Sequence, residues 1–599
     1  MERRHGRPTV LLLASRDELP PSKRVWGTGG WMAPQDREAL DWLTLVRFLG
    51  WDVEVVAPTD DPREWLRRSG LVIVIACDPD AFGEETMHAI ASRLNDHPAL
   101  VVCRAAPGGT PLATLASASR DGQALAGQSI EWQGPGPRRT WRSGKPLDGR
   151  RLLLQPDARP WATLDCAPVV AARPCGRGMV ATLGIHPSEA RDTDPSGTAL
   201  MKTLLTWGVP PPVAWLDFDD TLVLRMDDPG GAQNVHSRSW CYPKLDRDAW
   251  AAIGRDLAAR QGRISLGYVS GWVDDGDERR GRLTIEGQAV ARHPGAVHPS
   301  PLVRYEDVAG HRPGTIHDYT AEFQGIQALR QSGLADVELH GFTHMHPDRE
   351  AWVRAADRFE SRPPTDWYRE FGRAAVPALE RLAAADHPLV RALGLFRQYF
   401  GTVPTTLICP GDQWTDATIA RALDLGLQLV ASYYLAIRHR DQFCWAQHVC
   451  APYLDQPDPS WFAGGLPVVG YFHDYEPALE GTGWMTSQLD RWQEAGARRI
   501  IDFRELAAAV GCRLTLHEAN GHLRLAVDRR DAPAAVRPIP VRVRTERDLP
   551  RRMTVDVDGE AHDVDIEIQA DGTARALVPG DAIASRFARP RPMNGGPSL

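Results

Sequence analysis

Apolar positions along this chain recur in two rhythms before giving way to a third. Residues 8–14, Trp51 to Ala57, Gly70 to Ala76 and Leu100 to Cys103 are apolar runs of strand length. Between them, Asp36 to Leu49 and Glu84 to Leu94 carry the spacing of amphipathic helices. Strands and helices alternating in this way predict βαβ units on a parallel sheet. The apolar run from Gly178 to Ile185, with a helix to Trp207, closes this segment, and Pro210 to Pro212 marks a joint.

A second series follows. It comprises strands over Arg263 to Val269, Asp336 to Leu339, Thr405 to Cys409, Gln428 to Ser432 and Leu466 to Phe472. Helices are expected over Asp246 to Arg260, Glu322 to Gln331, Ala417 to Leu425 and Trp484 to Gly496, with a last strand and helix ending near Val510. Residues 271–320 look loop-rich, and Asp348 to Ala385 reads as a charged helix. The series has the size of a (β/α) barrel. After Gly511, Leu514 to His517, His522 to Val527, Val541 to Arg544 and Met553 to Asp558 alternate at period two between turn residues, which predicts a β-sandwich. The expected fold is therefore α/β multidomain. A flavodoxin-like α/β domain spans 1–209, a (β/α) barrel 210–511, a C-terminal β-sandwich 512–590 and a loose tail 591–599.

Composition narrows the function classes. The chain has 599 residues, enough for roughly three or four domains. A net charge of −8 gives no general attraction to nucleic acid or an anionic membrane, so neither is expected as a partner. Nine dispersed cysteines without a C-x-x-C pair point to reduced thiols and a cytoplasmic location. Val10 to Leu13 is too short an apolar run for a signal-peptide core, and no run reaches the ~18 residues of a membrane span.

The candidate chemistry centres on His340, His344 and His346, crowded just after a predicted strand. Neutral imidazoles placed so closely can converge on one metal ion. Such a site needs a carboxylate, and two Asp-Asp pairs lie upstream, Asp219-Asp220 and Asp227-Asp228. A further histidine, His473, ends another strand, with Asp474 beside it as a candidate to orient it or a neighbour.

An Asp pair after a strand, His-x-x-x-His, a strand ending in Pro-Gly and a strand ending in His occur here in that order. This order resembles the polysaccharide deacetylase superfamily (carbohydrate esterase family 4), over roughly residues 213–510. The resemblance implies a distorted (β/α) barrel and a divalent metal, zinc foremost. Asp228, His340 and His344 would be the metal ligands, Asp227 the general base and His473 the acid. It implies hydrolytic removal of an N-acyl group from an amino sugar or glycosylated small molecule. The expected partner is thus a small-molecule or carbohydrate substrate, and homo-oligomerisation stays open. The family's third motif usually supplies an arginine to the base. Leu407 to Gly411 has none, and Arg225 is the substitute on offer. The family's Asp-x-x-Asp-Trp motif is not evident. Asp219-Asp220 competes for the ligand role, but Asp227-Asp228-Pro229-Gly230 ends a strand with a turn. On that choice, residues 213–226 form a hairpin turning at Asp219-Asp220. His346 is an alternative to His344.

The N-terminal segment resembles glutamine-amidotransferase-like domains, with Cys103 after a strand and His186-Pro187-Ser188-Glu189 downstream. No G-x-C-x-G elbow surrounds Cys103, so this domain is expected to be non-catalytic. Two rivals to the deacetylase reading remain. Asp217-Phe218-Asp219-Asp220-Thr221 and Gly411-Asp412 to Asp416 resemble the haloacid-dehalogenase phosphatases, with Asp217 as a magnesium-assisted nucleophile. Lys244, far upstream of the last motif, is the one lysine between Asp217 and Asp412. The other rival is a deacetylase-like protein that binds carbohydrate without turnover.

Overall fold

The structure, a computed structural model, describes residues 10–581 except 15–33, 58, 69, 71, 77–82, 107–109, 186–195, 239, 349–367, 433–434, 441, 447–449, 453, 455, 520–521, 530–531 and 547–548. The tail expected to be loose lies outside the described residues.

The N-terminal apolar runs form a parallel sheet, ordered Val53–Val56, Val10–Leu13, Val72–Ile75, Leu100–Arg104, Gly178–Leu183. Numbered along the chain, this is the 2-1-3-4-5 order of flavodoxin-like sheets. Alternate residues feed two apolar clusters. Val10, Leu12, Val72 and Val74 enter one, while Leu11, Leu13, Ile73 and Ile75 enter the other. Burial on both faces is why these strands read as continuous apolar runs. The sheet then continues with four antiparallel strands that periodicity did not predict. They are Ala167–Cys175, Arg159–Leu164, Ala118–Trp132 and Arg139–Leu154, in that spatial order.

The central sheet is ten-stranded and barrel-like. Its parallel run is Leu429–Ala431, Thr406–Ile408, Ala335–Leu339, Ile264–Tyr268, Thr221–Asp227, Val468–His473 and Cys450–Pro452. Arg499–Ile501 also pairs with Thr221–Asp227, and Leu435–His439 and Gln442–Ala446 extend the far edge antiparallel. Helices Arg247–Ala259, Tyr319–Gln331 and Gly483–Ala495 lie between these strands in sequence, and Phe503–Gly511 follows the last of them. Parallel strands end on one side, where connecting loops can gather side chains from several of them.

Three expectations are corrected. Residues 213–226 are not a hairpin. Val213–Leu216 pairs antiparallel with Ile539–Arg544 in the seven-stranded C-terminal sheet, whereas Thr221–Asp227 enters the central sheet. The stretch 271–320 is not simply loop. It holds a two-stranded pair, Gly271–Val273 with Val297–Pro299, and a four-stranded sheet running from Gln288–Val290 to Ile316–Asp318. Arg292 fastens it through buried ion pairs to Asp274 at 2.7 Å and Asp275 at 2.5 Å. Of the charged helix expected over Asp348 to Ala385, residues 349–367 lie outside the described residues, and from Tyr368 on the described chain forms only short helical turns such as Arg373–Ala375 and Val376–Glu380.

Candidate metal centre

The strands Thr221–Asp227 and Ala335–Leu339 flank Ile264–Tyr268 in the sheet. Their loops therefore start side by side and bring Asp228 within reach of His340. His340 Nε2 lies 3.2 Å from Asp228 Oδ1, and His344 Nε2 lies 3.5 Å from the same oxygen. One donor atom from each of Asp228, His340 and His344 falls within 4.8 Å of the others, and all three residues are buried. Asp228 (φ 79°) and His344 (φ 60°) occupy left-handed backbone that non-glycine residues seldom adopt. Strain of that kind persists where surrounding structure holds it, often at functional sites.

What holds it here is visible. Gly341 has φ 72°, and a Cβ there would stand 2.1 Å from Glu370 Oε2. Glu370 accepts hydrogen bonds from the backbone N–H groups of Phe342 (2.7 Å) and Thr343 (3.0 Å) and from the Thr343 hydroxyl (3.0 Å). A buried carboxylate thus shapes the loop between the two histidines. Burial pushes Glu370 above the usual carboxylate range, although those three donors oppose the shift.

Asp227 points its Oδ2 at Arg225, 2.8 Å from Nη2, and both side chains are buried. Arg225 donates to the Ser432 carbonyl at 3.0 Å and lies over the Tyr471 ring at 4.1 Å. The arginine expected as a substitute is therefore in contact with Asp227. Oδ1 of Asp227 is buried and has no hydrogen-bond partner among the described residues. His473 ends the strand paired with Thr221–Asp227, directly opposite Asp227 in register. Its Nδ1 is 3.6 Å from Glu476 Oε1. Burial alone would lower His473. The Glu476 hydrogen bond and the charge of Asp228 outweigh burial and raise it to about 9.

The donor set fits a divalent cation. Two imidazoles and one carboxylate supply nitrogen and oxygen ligands suited to zinc and leave a coordination position for water. His340 Nδ1 faces the Ile408 carbonyl at 3.1 Å, which orients Nε2 toward the centre. Both ring nitrogens of His340 face oxygens, so the Nε2 proton must leave before that nitrogen can bind a cation. Burial would lower His340, but the Asp228 hydrogen bond raises it above the ordinary histidine value. Burial pushes His344 down to about 4, leaving it neutral. Asp228 lies well below the carboxylate range. Burial opposes that shift, and the His340 hydrogen bond and neighbouring histidines more than offset it.

His346 is not part of this cluster. Its Nε2 faces the Ala374 carbonyl at 3.1 Å, and its Nδ1 accepts from the Asp348 N–H at 3.1 Å. Several contributors were not assigned these contacts by the sequence. Trp240 Nε1 donates to Asp228 Oδ2 at 3.0 Å and stacks on Tyr475 at 4.4 Å. Lys244 is buried between Asp474 and Glu322, and Tyr242 donates to Asp474 at 2.5 Å. Glu322 in turn accepts from the Gly230 N–H at 2.8 Å. Lys244 thus ties the turn after Asp228 to the one after His473. Burial would strip its proton, but Asp474 and Glu322 keep it above the ordinary lysine value. Of the two roles the sequence left open for Asp474, orienting His473 or a neighbour, its contacts with Tyr242 and Lys244 fit the second.

The phosphatase-like aspartates have a different environment. Asp217 is ion-paired with Arg542 (3.2 Å) and Arg575 (3.1 Å), and Asp219 with Lys202 (2.9 Å) and Arg542 (3.1 Å). They precede the strand Thr221–Asp227, whose seven residues span ~20 Å, so they lie at the far end of that strand from Asp228. Asp412 does not meet them. It lies near Arg225, Asp227 and His340, and burial pushes it up to about 6. In the N-terminal sheet, Cys103 is buried, and burial pushes its thiol up to about 12. A thiol so firmly protonated is a poor nucleophile. His186, Pro187, Ser188 and Glu189 lie outside the described residues.

No protein-family model matches the chain, and no curated protein matches it in sequence. Among solved structures it is similar to Agd3, described as a novel carbohydrate deacetylase, at 8% identity and TM-score 0.44, covering 96% of this chain and 97% of that one. It is also similar to the beta-galactosidase of the Antarctic haloarchaeon Halorubrum lacusprofundi at 16% identity and TM-score 0.24, covering 34% and 30%. The exo-beta-1,4-mannosidase Op5Man5 of Opitutaceae bacterium strain TAV5 matches at 15% identity and TM-score 0.21, covering 31% and 32%. No helix among the described residues is long and apolar enough to cross a membrane.

Proposed function

We propose that this chain is a metal-dependent hydrolase that removes an N-acyl group from an amino sugar or glycosylated small molecule. The observation that carries the reading is the convergence of Asp228, His340 and His344 beside a second, non-ligating carboxylate held by an arginine. A divalent cation at these three ligands, zinc foremost, would polarise the acyl carbonyl and make a bound water acidic. Asp227 is the base. Arg225 fixes one of its oxygens, and the unpartnered Oδ1 takes the proton of the attacking water. His473, raised to about 9 and so protonated at neutral pH, gives a proton to the leaving amine. Two proton-transfer groups of opposite readiness suit a reaction that removes a proton from one atom and delivers one to another. Trp240 and Tyr475, stacked and half-buried beside His473, offer an apolar ring face of the kind that packs on sugars. A cytoplasmic site of action belongs to the reading, because the dispersed cysteines suit a reducing compartment.

The test is metal content together with acetate release from a panel of N-acetylated amino sugars. The unsubstituted chain should hold one equivalent of zinc per site and release acetate. Asp228→Ala and His340→Ala should each lose both properties. Zinc retained in both variants would reject the site, and a zinc-loaded chain that releases no acyl group would reject the hydrolase.

A further inference from the structure

A cavity of about 930 Å³ opens at the end of the barrel strands opposite the candidate metal centre. Its wall includes Thr405 and Gln428, which immediately precede the parallel strands Thr406–Ile408 and Leu429–Ala431. The candidate metal ligands follow the other ends of such strands. Helix Pro34–Phe48 of the N-terminal region and Arg513 of the C-terminal sheet complete the wall, so three parts of the chain meet there.

Five arginines line it, Arg47, Arg438, Arg440, Arg504 and Arg513, against two aspartates, Asp52 and Asp528. Three of the arginines are satisfied by protein groups. Arg438 donates to the carbonyls of Leu423, Leu427 and Arg440. Arg504 is ion-paired with Asp336 and donates to the Val403 carbonyl at 2.9 Å. Arg513 donates to the carbonyls of Gly511 and Cys512, and Asp52 lies 3.8 Å away. Arg47 differs. It is 2% exposed and donates one hydrogen bond, from Nη2 to the Val510 carbonyl at 2.6 Å. Its Nε and Nη1 are buried with no partner among the described residues. Nδ1 of His439, also buried in this wall, has none either.

A guanidinium removed from water with donors unfilled is unfavourable unless an anion meets it. The free Nε and Nη1 lie on different edges of the guanidinium, each beside Nη2, so each is left to meet an oxygen of a carboxylate or phosphate. A cavity of this volume is in the range of small-molecule sites. Arg440, exposed at the rim, adds a further positive charge. We propose that this cavity binds a small organic anion, bearing a carboxylate or phosphate group, through the free donors of Arg47 with help from His439 and Arg440. The electrostatics agree. Burial and the nearby Arg513 charge push the Arg47 guanidinium down to about 9, which an anion would reverse. His439 is pushed down to about 3 by burial and by Arg47, so it stays neutral and can donate a hydrogen bond. The proposal does not depend on the deacetylase reading, because no metal-centre residue lines this cavity.

The test uses the full chain and three probes: inorganic phosphate, phenyl phosphate and succinate. Each is titrated at constant ionic strength, with chloride as the control, while the unfolding midpoint and calorimetric heat are followed. At least one probe should raise the midpoint saturably. A phosphate-selective response assigns a phosphate ligand and a succinate-selective one a carboxylate. Arg47→Gln and Arg440→Gln should each weaken that binding at least tenfold. Arg47→Met should fold as well as the parent without the probe, since it removes an unfilled buried charge, and should no longer respond to it. Absence of a saturable response to all three probes would overturn the proposal. An equal response in the parent and Arg440→Gln, together with either arginine-47 variant, would also overturn it. Arg440→Gln is a surface change and keeps the test valid if Arg47 proves necessary for folding.

Discussion

The strand Thr221–Asp227 has an Asp-Asp pair at each end, and the two pairs have opposite employments. Asp219, before the strand, is ion-paired with Lys202 and Arg542, and Asp217 beside it with Arg542 and Arg575. This end joins the N-terminal helix Ser196–Gly208, the central sheet and the C-terminal sheet. Asp227 and Asp228, after the strand, meet one arginine and two histidines. The same dipeptide serves as a fastener at one end and, in the proposed function, as a ligand with its base at the other. What separates them is the partner set. Cations that are always charged neutralise a carboxylate permanently, whereas imidazoles leave it available to a metal.

The comparison can be tested in order of expected effect. Asp227→Asn should lower the rate of acyl release by ~10²–10⁴-fold, the usual worth of a general base, while zinc content stays at one equivalent. A variant retaining near-parental activity would remove Asp227 from the mechanism. Asp217→Asn should do the reverse. It should cost about 2 kcal/mol of stability, read by chemical denaturation, because two arginines lose their buried partner. Its activity per folded molecule should not change. A loss of activity at full stability would return Asp217 to a catalytic role.

The smallest effect is a separation along the pH axis. Burial alone would raise Asp219, but the Lys202 and Arg542 charges hold it below the carboxylate range. Its contribution to stability is therefore complete above about pH 4 and is lost as the pH falls through its lowered folded value. His340, held above the ordinary histidine value, competes with a cation for Nε2 from near neutrality downward. Acidification should release the metal first and unfold the chain later. A metal indicator and far-ultraviolet circular dichroism, followed in one titration, check this. Coincident transitions would mean that the two ends are not independent.

Both βα series were legible because their strands are buried on two faces and their helices on one, which imposes clear periods on the sequence. The strands Ala118–Trp132 and Arg139–Leu154 were not. Their interiors contain glycine, proline and several arginines, and Arg139–Leu154 exposes most of its positions. Their order comes from pairing with each other, a non-local property. The small sheets within 271–320 have strands of three to five residues, too short to show a period, and depend on Arg292 reaching Asp274 and Asp275. At the candidate metal centre, the proximity of Asp227, Asp228, His340, His344 and His473 was legible from order and spacing. Glu370 was not, because nothing in its own neighbourhood reports that it will accept bonds from Phe342 and Thr343. Lys244 counted in sequence only as a misplaced phosphatase lysine, and its value lies in two carboxylates 78 and 230 residues away.

The pairing of Val213–Leu216 with Ile539–Arg544 sets a constraint on biosynthesis. The ion pair beside it joins Asp217 to Arg542, 325 residues further along the chain. At ~5–20 residues per second, a ribosome needs roughly 15–65 s to deliver the second partner after the first. During that interval the first strand is an open edge carrying an unneutralised aspartate, while the N-terminal sheet already has all of its own strands. The nascent chain should therefore complete its first unit early and wait with a templating edge exposed. Arrest of translation just before residue 539 should yield the species most prone to chaperone capture.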